Sequence, residues 1–383
     1  MAEIFKLGRE AVEQLAAAYG TPLLVVSQEQ IRENYRTLRD GLRDAKIYYA
    51  VKANPDNTII NTLAEEGAFF DVASDGEMLM LAKLGISGDK MVYANPVKTL
   101  SGLNTASDLG VGHFTFDSET EIAKMARSIP GARVLLRIRI DDTHALVDLN
   151  KKFGVDPKQA LRLLQIARNQ GLNPAGLCFH VGSQTTDVAP YLVAIKVCSA
   201  IFSEAAEAGF DLRILDIGGG FPIPTKEYVA DNAAMTREIR KALDSYFPNT
   251  EIWAEPGRGI CGTGTNLITK VIGKTERDGK QWYFLDEGLY GTFSGVIFDH
   301  WEYEMETFKQ AEETVLATFA GPSCDSLDVI IREKETPQLE IDDLILVPAC
   351  GAYTSASATT FNGFPLTKSV IWEAVRDKIT PIK

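Results

Sequence analysis

Between about residues 22 and 262, short apolar runs alternate with amphipathic stretches of helical period. The runs are TPLLVVS, AKIYYAVKA, AFFDVAS, MVYANP, HFTFDS, RVLLRIRI, GLCFHVGS, LRILDIGG and EIWAEPG. Between them lie SQEQIRENYRTLRDGL, SDGEMLMLAKLG, DSETEIAKMARSIP and DPKQALRLLQIARNQG, several opening on a Ser or Asp cap and some closing on Gly or Pro. Strands alternating with helices at this spacing predict βαβ units and a parallel sheet, and about eight units predict a closed (β/α)₈ TIM barrel, an α/β fold. From residue 263 the texture changes to strand-and-turn sequence such as VIGKTERDGKQWYFLDEG and QLEIDDLILVPACGAYT. The expected organisation is a barrel over 22–262 and a C-terminal β domain over 263–383 that takes in part of 1–21.

Composition narrows the function classes. A chain of 383 residues with 45% hydrophobic and 24% charged residues is of ordinary globular make-up and long enough for two domains. Its net charge of −13 argues against a general nucleic-acid or anionic-membrane binder, and tolerates a cationic substrate. No stretch approaches about 18 uninterrupted apolar residues, and the N-terminus lacks the basic start and apolar core of a signal peptide, so no membrane span is expected. Five widely spaced cysteines without a CxxC pair suggest a reducing, cytoplasmic setting and argue against structural zinc.

Candidate chemistry clusters at strand ends, where a barrel of this kind keeps its active site. Lys52 closes IYYAVK; its ammonium either snorkels to water or stands desolvated for covalent work on a carbonyl. Asp71 follows AFF, Arg137 follows RVLL, and His180 and Ser183 follow GLCF. Gly218, Gly219 and Gly220 form either a plain tight turn or, with Gly257 and Arg258, a phosphate cradle free of side chains. Glu255 is either an ordinary salt-bridged carboxylate or the partner of a ring nitrogen, and His180 either a structural residue or one that stacks on a ring. A barrel, a strand-end lysine and a phosphate cup together suggest pyridoxal 5′-phosphate, which needs an amine, phosphate donors and a partner for its pyridine nitrogen.

The ordered motifs YAVKANPD, FDVASDGE, YANPVK, FDSETE, FHVGSQ, LDIGGGFP, AEPGRG, YGTFSGVIFDH, GPSCDSLD and GAYTSASATTFNGF resemble those of the eukaryotic-like ornithine/lysine decarboxylase family, from about residue 48 to 364. Those enzymes are fold-type III pyridoxal-phosphate decarboxylases with an alanine-racemase-like barrel and a following β domain. The resemblance implies that Lys52 carries the cofactor, Glu255 pairs with its ring nitrogen and His180 stacks on the ring. It implies that Ser183, Gly220, Arg258 and Tyr353 hold the phosphate, with Gly218, Gly219 and Gly257 shaping the cup. Asp71, Glu77 and Arg137 match supporting positions that orient Lys52 and the ring. It further implies a homodimer with shared active sites, in which GPSCDSLD comes from the other subunit, Cys324 protonates Cα and Asp325 meets the distal amine of the substrate.

Taken alone, Cys324 reads as a buried structural thiol, and the resemblance reverses that reading. Within it, Asp299 goes with ornithine or lysine, where a longer Glu goes with arginine. Phe298 stands where many relatives carry Tyr, which leaves the pocket less polar and open to a longer chain. The short N-terminus and the end soon after TPIK lead us to expect no C-terminal degradation tail and a bacterial or archaeal style of enzyme. The expected activity is decarboxylation of L-ornithine to putrescine, of L-lysine to cadaverine, or of both, in polyamine biosynthesis. The alternatives are a decarboxylase of arginine or diaminopimelate, a racemase on the same barrel, and a non-catalytic binding homologue like the antizyme inhibitors.

Overall fold

The computed structural model describes residues 4–140, 152–310 and 313–378, so the TPIK end lies outside the described residues. The chain divides into two compact units, Arg32–Ile260 and Glu3–Ile31 with Cys261–Lys383. Helix α1 (Arg9–Tyr19) and strand β1 (Leu23–Val26) come first, followed by α2 (Gln28–Leu42).

In the first unit, eight strands close into a parallel barrel: β2 (Lys46–Ala50), β3 (Phe69–Val72), β4 (Met91–Tyr93), β5 (His113–Phe116), β6 (Arg133–Ile138), β7 (Asn173–Phe179), β8 (Ile214–Asp216) and β9 (Glu251–Ala254). The intervening helices are α3 (Asn57–Glu65), α4 (Asp75–Lys83), α5 (Leu100–Leu109), α6 (Glu119–Ser128), α7 (Ala160–Asn169), α8 (Ala189–Glu207) and α9 (Asn232–Tyr246). Five of these seven helices start on a side-chain cap: Asp56 accepts the Thr58 N–H, Ser74 that of Glu77, Thr99 that of Gly102, Ser118 that of Glu121 and Asp231 that of Ala234. Tyr48, Trp253, Phe69 and His113 pack ring against ring at centroid distances of 4.6 to 5.0 Å, filling the barrel toward the strand N-termini. Helix α8 is long and apolar enough by mean hydropathy to cross a membrane, but Tyr191, Ala194, Ile195, Cys198, Ile201 and Ala205 are buried in this unit, as in the core helix of a barrel.

The second unit is a mixed sheet built on the long β10 (Thr265–Arg277). Its other strands are β11 (Lys280–Leu285), β12 (Glu306–Thr307), β13 (Thr314–Ala320), β14 (Val329–Pro337), β15 (Leu344–Val347) and β16 (Lys368–Ile371). Strand β1 belongs here, which corrects its expected place in the barrel: Leu23–Val26 pairs antiparallel with Thr265–Ile268 and parallel with Lys368–Ile371. Its inward Leu23 and Val25 share a core with Leu7, Val12 and Leu15 around α1 and with Ile268, Leu346 and Val375. The barrel unit therefore begins at residue 32 rather than 22.

A carboxylate clasps this N-terminal segment. Glu373 accepts the Ser27 hydroxyl at 2.8 Å, the Gln28 N–H at 3.0 Å and the Glu29 N–H at 2.9 Å, completing the first turn of α2. Burial opposes its ionisation, but the Glu29 and Gln28 N–H groups outweigh burial and hold its carboxyl below the ordinary range. Glu373→Ala is expected to cost about 1–2 kcal/mol, the worth of a lost cap. Because the folded-state pKa is depressed, the stabilisation is complete above the unfolded value and is lost as pH falls through the folded one. Thermal unfolding of both proteins should show the difference at pH 7 and little of it below about pH 4.

Candidate active site

In the barrel unit the groups gather at the C-terminal ends of the strands. A short 3₁₀ turn, Val51–Ala53, follows β2 and carries Lys52. The β2–β3 register sets Ala50 beside Asp71, and the Lys52 ammonium makes an ion pair with the Asp71 carboxylate. Asp71 is 1% exposed, so the lysine neither snorkels free nor stands alone: it answers a buried charge. The second Asp71 oxygen is buried without a hydrogen-bond partner. Glu77 accepts the Ala73 N–H at 2.6 Å, locking the turn between β3 and α4 just beyond Asp71, and burial pushes its carboxyl up.

Asp216, which sequence reasoning did not single out, ends β8 fully buried. One oxygen accepts the Gly218 N–H at 2.8 Å, and Glu255 lies beside it as a hydrogen-bonding carboxyl. Burial, together with the neighbouring Asp71, pushes Asp216 up to about 6. Burial first, and then the charges of Asp216 and Asp71, push Glu255 well above the carboxylate range. Like charges this close cannot both ionise, so the pair holds a proton at neutral pH. The signal for Asp216 was present in the sequence: an aspartate inside the apolar run ILDI.

His180 accepts the Gly182 N–H on Nδ1 at 3.0 Å. Burial, with Arg137 and Lys52 nearby, holds its pKa well below normal, so the imidazole is neutral and carries its proton on Nε2. The Nε of Arg137, on β6, is buried without a partner. Gly218 and Gly220 have φ of +67° and +111°, and a Cβ at Gly218, Gly219 or Gly220 would stand 2.2 Å from Phe179 O, 2.6 Å from Glu255 O or 2.7 Å from Gly182 O. Only glycine fits this cradle. Its shape is fastened by Gln184, which donates to Ile223 O at 2.6 Å and accepts the Ile223 N–H at 3.0 Å, a role that the motif FHVGSQ alone does not disclose. Ser183 lies in the same loop between His180 and Gln184, partly buried, and Arg258 is buried one residue after Gly257.

These residues fit pyridoxal 5′-phosphate. They supply an amine beside a buried carboxylate, a proton-holding acid pair suited to a ring nitrogen, a neutral imidazole, a side-chain-free cradle and a buried guanidinium.

The remaining expected residues lie in the second unit. Phe298 is 65% exposed and Asp299 is buried, at the end of a short helix Gly295–Phe298. Cys324 is exposed, which overturns its reading as a buried thiol, and its N–H donates to Asn362 Oδ1 at 3.0 Å. Asp325 accepts the Leu327 N–H at 3.0 Å and the Tyr290 hydroxyl, which together hold its carboxyl below the ordinary range. Tyr353 adopts a left-handed φ of +53°, uncommon for a bulky residue. Among the described residues no cluster of His, Cys, Asp or Glu could hold a metal ion.

A parallel barrel with a lysine, an acid pair and a glycine cradle at its C-terminal mouth defines a fold-type III pyridoxal-phosphate enzyme. Residues 28–262 match the pyridoxal-binding domain of the pyridoxal-dependent decarboxylases, and residues 225–351 match their C-terminal sheet domain. The chain is 49% identical over 370 residues to a lysine/ornithine decarboxylase of Selenomonas ruminantium, covering 96% of this chain and 94% of that one. A crystal structure of the lysine decarboxylase of that organism superposes with a TM-score of 0.94 at 47% identity, covering 99% and 100% of the two chains. A lysine/ornithine decarboxylase of Vibrio vulnificus complexed with putrescine superposes with a TM-score of 0.89 at 35% identity, covering 96% and 99%. The chain belongs to the pyridoxal-dependent decarboxylase family and is a pyridoxal-phosphate-dependent amino-acid decarboxylase.

Proposed function

We propose that this enzyme decarboxylates L-lysine and L-ornithine, giving cadaverine and putrescine for polyamine synthesis. The likeness to the lysine/ornithine decarboxylases carries the reading. The carboxylate of Asp325, kept ionised by the Leu327 N–H and the Tyr290 hydroxyl, supports it as a receiver for a terminal ammonium.

When bound, the cofactor accepts the electron pair left at Cα as carbon dioxide departs. Lys52, aimed by Asp71, is the amine that would hold its aldehyde. Glu255, backed by Asp216, keeps a proton at the ring nitrogen, and neutral His180 offers a flat face to the ring. Ser183, Gly220, Arg258 and Tyr353 hold the phosphate in a cup shaped by Gly218, Gly219 and Gly257, while Glu77 and Arg137 steady the surroundings. Two copies of the chain complete each site. Cys324 of the partner subunit delivers the proton to Cα, and Asp325 of the partner subunit shares the distal ammonium with Asp299 beside Phe298. Exposed Ile297, Phe298, Leu327, Phe361, Phe364 and Leu366 suit that second copy, and five free cysteines suit a cytoplasmic setting.

Steady-state kcat/KM on lysine, ornithine, arginine and diaminopimelate in parallel tests the substrate. Lysine and ornithine should exceed the other two by at least about a hundredfold, because a site built for an ammonium leaves a guanidinium or second carboxylate mispaired. A preference for arginine or diaminopimelate overturns the reading. Borohydride reduction of the holoenzyme should fix the cofactor on Lys52; a label on another lysine would remove the basis of the mechanism.

A further inference from the structure

Glu287 opens the turn Glu287–Thr292 and is 5% exposed. One carboxylate oxygen accepts the Thr292 N–H at 2.7 Å and the Gly288 N–H at 3.2 Å, and the other accepts the Thr367 hydroxyl. The turn is wrapped so closely round this carboxylate that a Cβ on Gly291 would stand 1.6 Å from it. At the tip of the turn Tyr290 stacks on Phe361, centroids 4.2 Å apart, and donates its hydroxyl to Asp325.

A second buried carboxylate fastens the neighbouring loop to the same turn. Asp328 accepts the Leu289 N–H at 2.7 Å and the Ser323 N–H at 3.1 Å, with Gly288 and Gly321 both too close to it for any side chain. The turn bearing Tyr290 and the loop bearing Cys324 and Asp325 are thus fastened to each other by a buried acceptor. The turn has glycines at 288 and 291 and the loop one at 321, and the buried carboxylates determine where Tyr290 and Asp325 stand.

We propose that Glu287 is a positioning residue for substrate recognition: by closing the 287–292 turn it holds the Tyr290 hydroxyl on Asp325 and so fixes the carboxylate that receives the distal ammonium. The proposal rests on the assignment of Asp325 to that ammonium. Glu287 touches neither substrate nor cofactor; it acts through Tyr290.

The test is a cycle of Glu287→Ala, Tyr290→Phe and the double variant, assayed as holoenzymes on lysine and ornithine. Each single variant should raise KM about tenfold with kcat changed less than about threefold, and the double variant should be no worse than the more damaged single, since both remove one interaction. Glu287→Gln keeps an acceptor for the two N–H groups and a donor for Thr367, and should hold KM within about threefold of the parent. If Glu287→Ala does not fold, Thr367→Val removes one of the contacts and should raise KM by a few fold. An unchanged KM in the folded Glu287 or Thr367 variant, or additive penalties in the cycle, overturns the proposal. A parent enzyme inactive on both amino acids would instead overturn the substrate assignment beneath it.

Discussion

Glu255→Gln is expected to lower kcat by about two to three orders of magnitude and yet raise the unfolding temperature of the cofactor-free protein by a few degrees. Gln keeps the shape and the hydrogen bond to Asp216 but cannot hold a positive charge at the ring nitrogen, so the electron sink weakens. In the cofactor-free protein the balance reverses. Glu255, Asp216 and Asp71 crowd three buried carboxyls against Lys52 and Arg137, and burial with mutual repulsion pushes Glu255 well up and Asp216 up to about 6. For acids whose folded-state pKa is raised, the folded protein binds more protons than the unfolded chain, so stability is greatest at low pH and falls as pH climbs from about 4 through 6. Removing one carboxyl relieves the pair and lets Asp216 ionise. Thermal unfolding of both cofactor-free proteins between pH 5 and 8, beside kcat of the holoenzymes, checks both halves. A variant less stable than the parent at pH 7, or one with undiminished kcat, would sink the account of the pair.

The barrel was legible because parallel strands buried on both faces read as continuous apolar runs, and eight of the nine runs drawn from the sequence are its staves. The ninth was misplaced for a physical reason. LLVV looks alike whichever sheet it joins, and its partners, Thr265–Ile268 and Lys368–Ile371, lie more than two hundred residues away. Lys52, Asp71, Glu255 and the glycines stood out because a charge or a missing side chain interrupts such a run at its end. Asp216 was as visible but was read as part of its strand. Gln184 and Tyr290 lie inside the motifs FHVGSQ and YGTFSGVIFDH without a role legible in the sequence, and Glu287 is not marked there at all. They are ordinary polar residues in turns, and their significance comes from what long-range folding brings against them: Ile223 for Gln184, Thr367 for Glu287, Asp325 for Tyr290. Sequence thus reported the residues that interrupt apolar strands, while the residues that hold the loops emerged only from contacts in space.

The largest loss of stability is expected from Lys98→Met, a residue given no role in binding substrate or cofactor. Lys98 leaves the loop after β4 with its ammonium fully buried, donating to Thr115 O at 2.6 Å, Asn95 O at 3.0 Å and Pro96 O at 3.3 Å. It pairs with Glu121 at 3.1 Å, itself 3% exposed and also paired with Lys124 at 2.6 Å. Burial pulls the Lys98 ammonium down to about 8 against the attraction of Glu121, so the site is costly to build and is retained through its complete set of partners. Methionine of similar length would fill the space and satisfy none of them. The three carbonyls lose their donor and Glu121 keeps only the partly buried Lys124 and the backbone N–H of residue 98, a loss expected to cost about 3–5 kcal/mol. Glu121→Leu in addition removes the stranded charge, so the double variant should recover part of that loss rather than add to it. Because the network ties the β4 loop to the end of β5, the single variant should also retain cofactor less well, visible as a smaller rise in unfolding temperature when pyridoxal phosphate is added. Denaturant unfolding of the parent, the single and the double variant decides the matter: a single variant within about 1 kcal/mol of the parent would show that the network is held elsewhere, and a double variant worse than the single would show that Glu121 has a role apart from Lys98.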